Sequence, residues 1–221
     1  MNLQYHKSLT HLHVGCEPTH AYFIPYHSRE AAATGNRGQS ARFVSLCGEW
    51  DFRYYGSVND VEDFNASDWE AGSFDRLNVP MNWQMALGRG YDTPHYTNHN
   101  YPFPIDPPHV PEDNPCGLYR RSFEVDAETL RTRDVKLVFE GVDSCFYVYI
   151  NNRFAAYSQV SHTTTEITVN DYLVEGVNDL KVLVLKWCDG SYLEDQDKIR
   201  LSGIFREVYL LLRDRVHITD L

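Results

Sequence analysis

Residues 145–160 read CFYVYINNRFAAYSQV. The run is dense in aromatic and β-branched side chains, which favour the pleated conformation of a strand. Asn151 and Asn152 split it in two. Asparagine tolerates the positive φ that a two-residue hairpin turn needs, so the stretch predicts two antiparallel strands joined back to back.

Similar short runs lie on either side. EWDFRYY (49–55) alternates well, and FDRLNVP (74–80) ends in a strand-stopping proline. LYRRSFEV (118–125), DVKLVFEGV (134–142), TTEITV (164–169), DLKVLVLKW (179–187) and REVYLLL (206–212) continue the series. Helical signals are brief: SVNDVEDF (57–64) with Ser57 as its cap, and NDYLVEG (170–176) with Asn170 capping and Gly176 stopping it. Many short strands, few helices and no parallel-sheet rhythm predict an all-β jelly-roll β-sandwich. The expected organisation is an N-terminal arm and flexible loop over 1–41, the sandwich over 42–215, and a linker from 216 to 221. The loop character of the arm rests on the small, polar REAAATGNRGQSAR (29–42).

The chain has 221 residues, 43% hydrophobic and 14% aromatic, enough to bury a real core. No apolar run approaches the eighteen or so residues a membrane span needs, and MNLQYHKSLTHLHVG (1–15) does not read as a signal peptide. A formal charge of −11, with scattered Lys and Arg, argues against a nucleic-acid partner. The five cysteines are odd in number, widely spaced and never in a C-x-x-C pair, so no disulfide framework is expected and a cytoplasmic location is. His11, His13 and Cys16 lack a fourth ligand at usable spacing, and the alternation reads equally as one face of an extended segment.

Two stretches break the strand rhythm. Residues 80–117, PMNWQMALGRGYDTPHYTNHNYPFPIDPPHVPEDNPCG, are too long for an ordinary connection and dense in proline, aromatics and asparagine. Aromatic rings that stack on sugar faces, with asparagines that donate and accept, make a carbohydrate site. A loop packed against a neighbouring domain for shape alone explains the composition as well. Residues 190–208, GSYLEDQDKIRLSGIFREV, gather Glu194, Asp195 and Asp197 before returning to strand-like sequence.

SLCGEWDFRYY (45–55), VPMNWQM (79–85), GYDTPHYTNHNYPFP (90–104), NPCGLYRRSFEV (114–125), FEGVDSCFYVYINN (139–152) and WCDGSYLEDQDKIRLSGIFREVYLL (187–211) occur in one characteristic order. With HVGCEPTHAYFIPY (13–26), they resemble the N-terminal jelly-roll, or sugar-binding, domain of bacterial β-galactosidases of glycoside hydrolase family 2. The resemblance covers nearly the whole chain. Y-T-N-x-x-Y-P paired with G-S-Y-L-E-D-Q-D is its specific part and sets β-galactosidases apart from β-glucuronidases and β-mannosidases.

The resemblance implies a galactose-binding-domain-like fold, with an extended arm and two long loops that reach the active site of a separate (β/α)₈ barrel. It implies that Asn98 hydrogen-bonds the galactosyl unit. Asp197 would face the galactose and hold a sodium ion, a role suited to a carboxylate, which accepts from hydroxyls and binds hard cations through oxygen. Magnesium is expected in the barrel and not in this chain. Glu194 and Asp195 are expected to shape the turn or pair with Arg200 or Arg206. The expected partners are a galactoside of the lactose type, the remaining domains of the same polypeptide, starting with an immunoglobulin-like one, and further copies in a homo-oligomer.

The sequence departs from the family in two places: His99 follows Asn98 and adds a titratable donor at the pocket rim, and Lys198-Ile199 stand where relatives carry Met-Trp. Retaining glycosidases need an acid/base carboxyl and a nucleophilic carboxylate about 5 Å apart. Asp195 and Asp197 are candidates for such a pair by position, but the family draws both catalytic glutamates from its barrel. No catalytic residue is therefore expected in this chain, which reads as an inactive piece of a larger hydrolase. RDRVHITDL (213–221) reads as the first strand towards a following domain. The alternatives are a free-standing carbohydrate-binding module and an assembly domain.

Overall fold

The computed structural model describes residues 4–61, 73–97, 100–194 and 197–220. In chain order its elements are β1 (His13–Val14), α1 (Arg29–Ala33), β2 (Phe43–Ser45), β3 (Gly48–Tyr55), β4 (Asp75–Val79) and β5 (His95–Thr97). Then come β6 (Cys116–Val125), α2 (Ala127–Thr132), β7 (Arg133–Phe139), β8 (Val142–Asp143), β9 (Cys145–Ile150) and β10 (Arg153–Gln159). Last are β11 (Thr165–Thr168), β12 (Gly176–Leu185), β13 (Lys198–Arg200), β14 (Gly203–Ile204) and β15 (Val208–Asp214).

The fold is the expected jelly-roll β-sandwich. One sheet has seven strands in the order β1-β10-β9-β12-β6-β3-β4, and the other has four in the order β11-β7-β15-β2. The β9–β10 hairpin turns where the sequence places it, with Asn151 at φ 51° and Asn152 at φ 62°. Phe146, Val148 and Ile150 face the interior with Phe52, Tyr119, Leu137, Phe139 and Leu210. Cys145, Tyr147 and Tyr149 alternate with them into a second buried layer containing Leu118, Tyr157 and Leu183.

The N-terminal arm covers that second layer. Tyr5 packs on Tyr147, Phe154 and Tyr157, and the His6 ring meets the Tyr147 hydroxyl at 2.9 Å. Burial on both faces is why residues 145–150 are apolar throughout instead of alternating. His13 takes a partner in Ser158 Oγ at 2.9 Å, and the Cys16 thiol donates to the Tyr157 carbonyl at 3.3 Å.

Several local expectations change. Within 29–42 a short helix forms, because the Ser28 hydroxyl accepts from Ala31 N–H as an N-cap and alanines follow. Ser57 caps a brief turn at 58–60, while 62–64 lie outside the described residues. Asn170 caps nothing: its side chain accepts from Val135 N–H and donates to the Arg133 carbonyl, tying the start of β7. Residues 215–220 form no strand. All five cysteines are free thiols, and no helix among the described residues is long and apolar enough to cross a membrane.

Candidate functional site

The two stretches that interrupt the strand rhythm meet. The first runs beside 202–204, where Met81 N–H donates to the Ile204 carbonyl at 2.8 Å and Trp83 N–H to the Ser202 carbonyl at 3.0 Å. Gly203 permits this approach, having φ 121° and lying where a Cβ would stand 3.0 Å from the Met81 carbonyl oxygen. Further on, β5 and β13 form an antiparallel ribbon in which Lys198 pairs with Thr97, Ile199 with Tyr96 and Arg200 with His95.

This ribbon places Asp197, an exposed carboxylate, where the Tyr96 hydroxyl donates to its Oδ1. Asn98, His99 and Asp195 lie outside the described residues, but Thr97 and Lys198, the neighbours of Asn98 and Asp197 in sequence, are register partners. Tyr96 and Thr97 of the first motif thus lie in one ribbon with the strand that follows Asp197, the last residue of the second.

A buried polar network supports it. The Lys186 ammonium pairs with Asp92 and lies 2.9 Å from His95 Nδ1. An ammonium only donates, which makes Nδ1 the acceptor. Gln84 donates to Asp92 at 3.0 Å and accepts from Ser202 N–H at 2.8 Å. Burial lowers the Lys186 pKa, and Asp92 opposes that shift. Trp187 is clamped through its backbone by Asn114, at 2.8 and 3.0 Å, and carries the Arg200 guanidinium 5.1 Å from its ring.

Glu194 belongs to the same foundation. Its side chain is 17% exposed, accepts from Ser161 Oγ at 2.9 Å and lies 3.6 Å from Arg200. Burial pushes its carboxyl pKa up, and the nearby Asp143 charge adds to that. The expected pairing of Glu194 with Arg200 is present, whereas Arg206 donates to the His162 carbonyl.

Most aromatics of 80–117 are structural. Trp83 is in the main core, and Tyr101 and Phe103 pack on Trp187 and Tyr192. The Tyr192 hydroxyl accepts from Asp106 N–H at 3.2 Å and sits against the His109 carbonyl, anchoring the proline-rich turn. Tyr96 is the exception at 63% exposed. Sequence reasoning gave no role to Tyr96, Asp92, His95 or Lys186. The available signal for Lys186 was a lysine inside the apolar run LKVLVLKW.

Chemically, the ribbon presents an acceptor. Asp197 Oδ2 takes no hydrogen bond among the described residues, so it is available to a hydroxyl or a hard cation. No cluster of three or more His, Cys, Asp or Glu side chains among them is arranged to hold a metal. A cation at Asp197 would need most of its oxygen ligands from outside these residues.

Residues 43–214 match the profile of glycosyl hydrolases family 2, sugar binding domain. The chain is 51% identical over 209 residues to a β-galactosidase of Actinobacillus pleuropneumoniae, covering 95% of this chain and 20% of that protein. It is 44% identical over 218 residues to a β-galactosidase of Staphylococcus xylosus, covering 98% and 21%. The chain therefore spans about a fifth of the length of these curated relatives. Among solved structures, a Bifidobacterium dentium β-glucuronidase complexed with coumarin-3-O-glucuronide superposes with TM-score 0.57 at 17% identity, over 78% of this chain and 30% of that one. A putative β-galactosidase from Bacteroides fragilis gives 0.55 at 17% identity, over 77% and 23%. At that identity both likenesses concern the fold alone.

Proposed function

The chain belongs to glycosyl hydrolase family 2 as its sugar-binding domain, and from this we propose that it is the N-terminal part of a β-galactosidase acting on terminal non-reducing β-D-galactose, as in lactose. The observation that carries the reading is the 51% identity to a β-galactosidase across 95% of this chain. The solved β-glucuronidases share the fold at 16–18% identity and do not compete with it.

In this reading Asp197 accepts from a galactose hydroxyl, and Asn98 supplies a second polar contact from the adjoining motif. His99 stands at the rim. Sodium, where present, sits against the Asp197 carboxylate and neutralises charge beside the sugar, with its other oxygens drawn from elsewhere in the enzyme. Magnesium belongs to the barrel. The acid/base and nucleophilic carboxylates of a retaining mechanism come from that separate domain. This chain orients substrate and does no chemistry alone. The full enzyme is proposed to be a cytoplasmic homo-oligomer.

The test is a panel of nitrophenyl glycosides assayed with the full-length polypeptide that contains this chain. The β-galactoside should be turned over with kcat/KM at least about a hundredfold above the β-glucuronide and β-mannoside, a difference of roughly 2.7 kcal/mol. The 221-residue chain alone should hydrolyse none of them and bind galactose no tighter than about millimolar. Preference for the glucuronide, or turnover by the isolated chain after removal of host enzyme, contradicts the reading.

A further inference from the structure

We propose that Tyr96 is a positioning residue: its hydroxyl fixes the Asp197 carboxylate in the orientation that the sugar meets. The inference rests on the reading of Asp197 as a substrate contact and adds to it the group that holds the contact in place.

The geometry follows from the ribbon register. Tyr96 pairs with Ile199, and Asp197 lies two residues before Ile199, so Tyr96 and Asp197 are diagonal neighbours across the strands. Diagonal positions are within reach of a long aromatic side chain and out of reach of a short one. The tyrosine hydroxyl spans the gap and donates to Oδ1. No hydrogen bond reaches Oδ2 from the described residues, which leaves that oxygen for the ligand.

An exposed aspartate beyond the end of a three-residue strand would otherwise sample several rotamers and lose them on binding. A phenol–carboxylate hydrogen bond with a charged acceptor selects one of them beforehand. Tyr96 is itself held by β5, whose His95 meets the buried Lys186 and whose Thr97 pairs with Lys198. The carboxylate is thereby linked to the buried network and not only to its own loop.

Substitutions in the full-length enzyme test this. Tyr96→Phe removes one oxygen from a side chain that is 63% exposed, so the melting temperature should hold. Its kcat/KM for a β-galactoside should fall about three- to tenfold, with galactose weakened as a competitive inhibitor by a similar factor. On an Asp197→Ala background the same change should cost less than about twofold, because no acceptor for the tyrosine hydroxyl remains there. Tyr96→Phe at wild-type kcat/KM while Asp197→Ala is impaired overturns the role of Tyr96 and leaves Asp197 standing. An equal loss from Tyr96→Phe on both backgrounds overturns it as well. Full activity in Asp197→Ala removes the substrate role of Asp197 and the positioning role of Tyr96 together.

Discussion

The Arg200 guanidinium donates to the backbone carbonyl of Glu194 at 2.7 Å, across the acidic loop that ends in Asp197. It closes the loop at its base, while Trp187 lies 5.1 Å away under the guanidinium.

Removing the carboxylate of this base should unsettle the loop. The Arg200 side chain is 2% exposed, so Glu194→Ala leaves a buried cation without its ion-pair partner and Ser161 without its nearest acceptor. A loss of about 2–3 kcal/mol in stability is expected. Glu194→Gln also takes the ion-pair charge from Arg200 but keeps an acceptor for Ser161, so it should cost about 1 kcal/mol less than Glu194→Ala. Urea unfolding of the two variants decides it: wild-type stability in both would mean that Glu194 does not partner Arg200 as described.

His6 makes the docking of the arm sensitive to acid. Burial, with a smaller effect of the Lys7 charge, lowers its pKa from 6.5 to about 4. The folded chain therefore resists a proton that the unfolded chain takes up at 6.5. The stabilising contribution is complete above pH 6.5 and is lost as pH falls from there towards about 4. At pH 4.5 the loss should reach about 2–3 kcal/mol. Urea midpoints of the wild type and of His6→Gln, measured from pH 7.5 to 4.5, should converge as pH falls, and parallel curves would contradict the assignment.

Residues 29–39 should exchange amide hydrogens faster than β12. The α1 helix is five residues long with no buried side chain, whereas most of β12 is buried between β6 and β9. Short exposed helices open at low cost, and core strands approach the global unfolding energy. Equal protection in the two segments would show that a further contact orders the arm.

The hairpin at Asn151-Asn152 and the strands around it were legible because period and turn chemistry are local. The helix α2 was not: six residues are too short to show a period, and only Asp126, accepting from Thr129 N–H, marks its start. The role of Tyr5 and His6 was also hidden, since their partner Tyr147 lies 141 residues from His6 and nothing near them in sequence announces it. At the site, the motifs pointed to Asp197. The hold of Tyr96 on it and the network of Gln84, Asp92, His95 and Lys186 depend on the β5–β13 register, which no local signal encodes.

The most direct measurement is kcat/KM of the full-length enzyme carrying Asp197→Asn, set against Asp195→Asn. The amide keeps the shape and one acceptor oxygen but lacks the charge that, in the proposed role, strengthens a hydrogen bond to galactose and holds a hard cation. Hydrogen bonds to charged groups contribute about 1.5–3 kcal/mol, so Asp197→Asn should lower kcat/KM about ten- to a hundredfold and weaken stimulation by sodium. Asp195→Asn should stay within about twofold. If Asp195→Asn proves the damaging change while Asp197→Asn keeps full activity and full response to sodium, Asp197 is not the substrate contact.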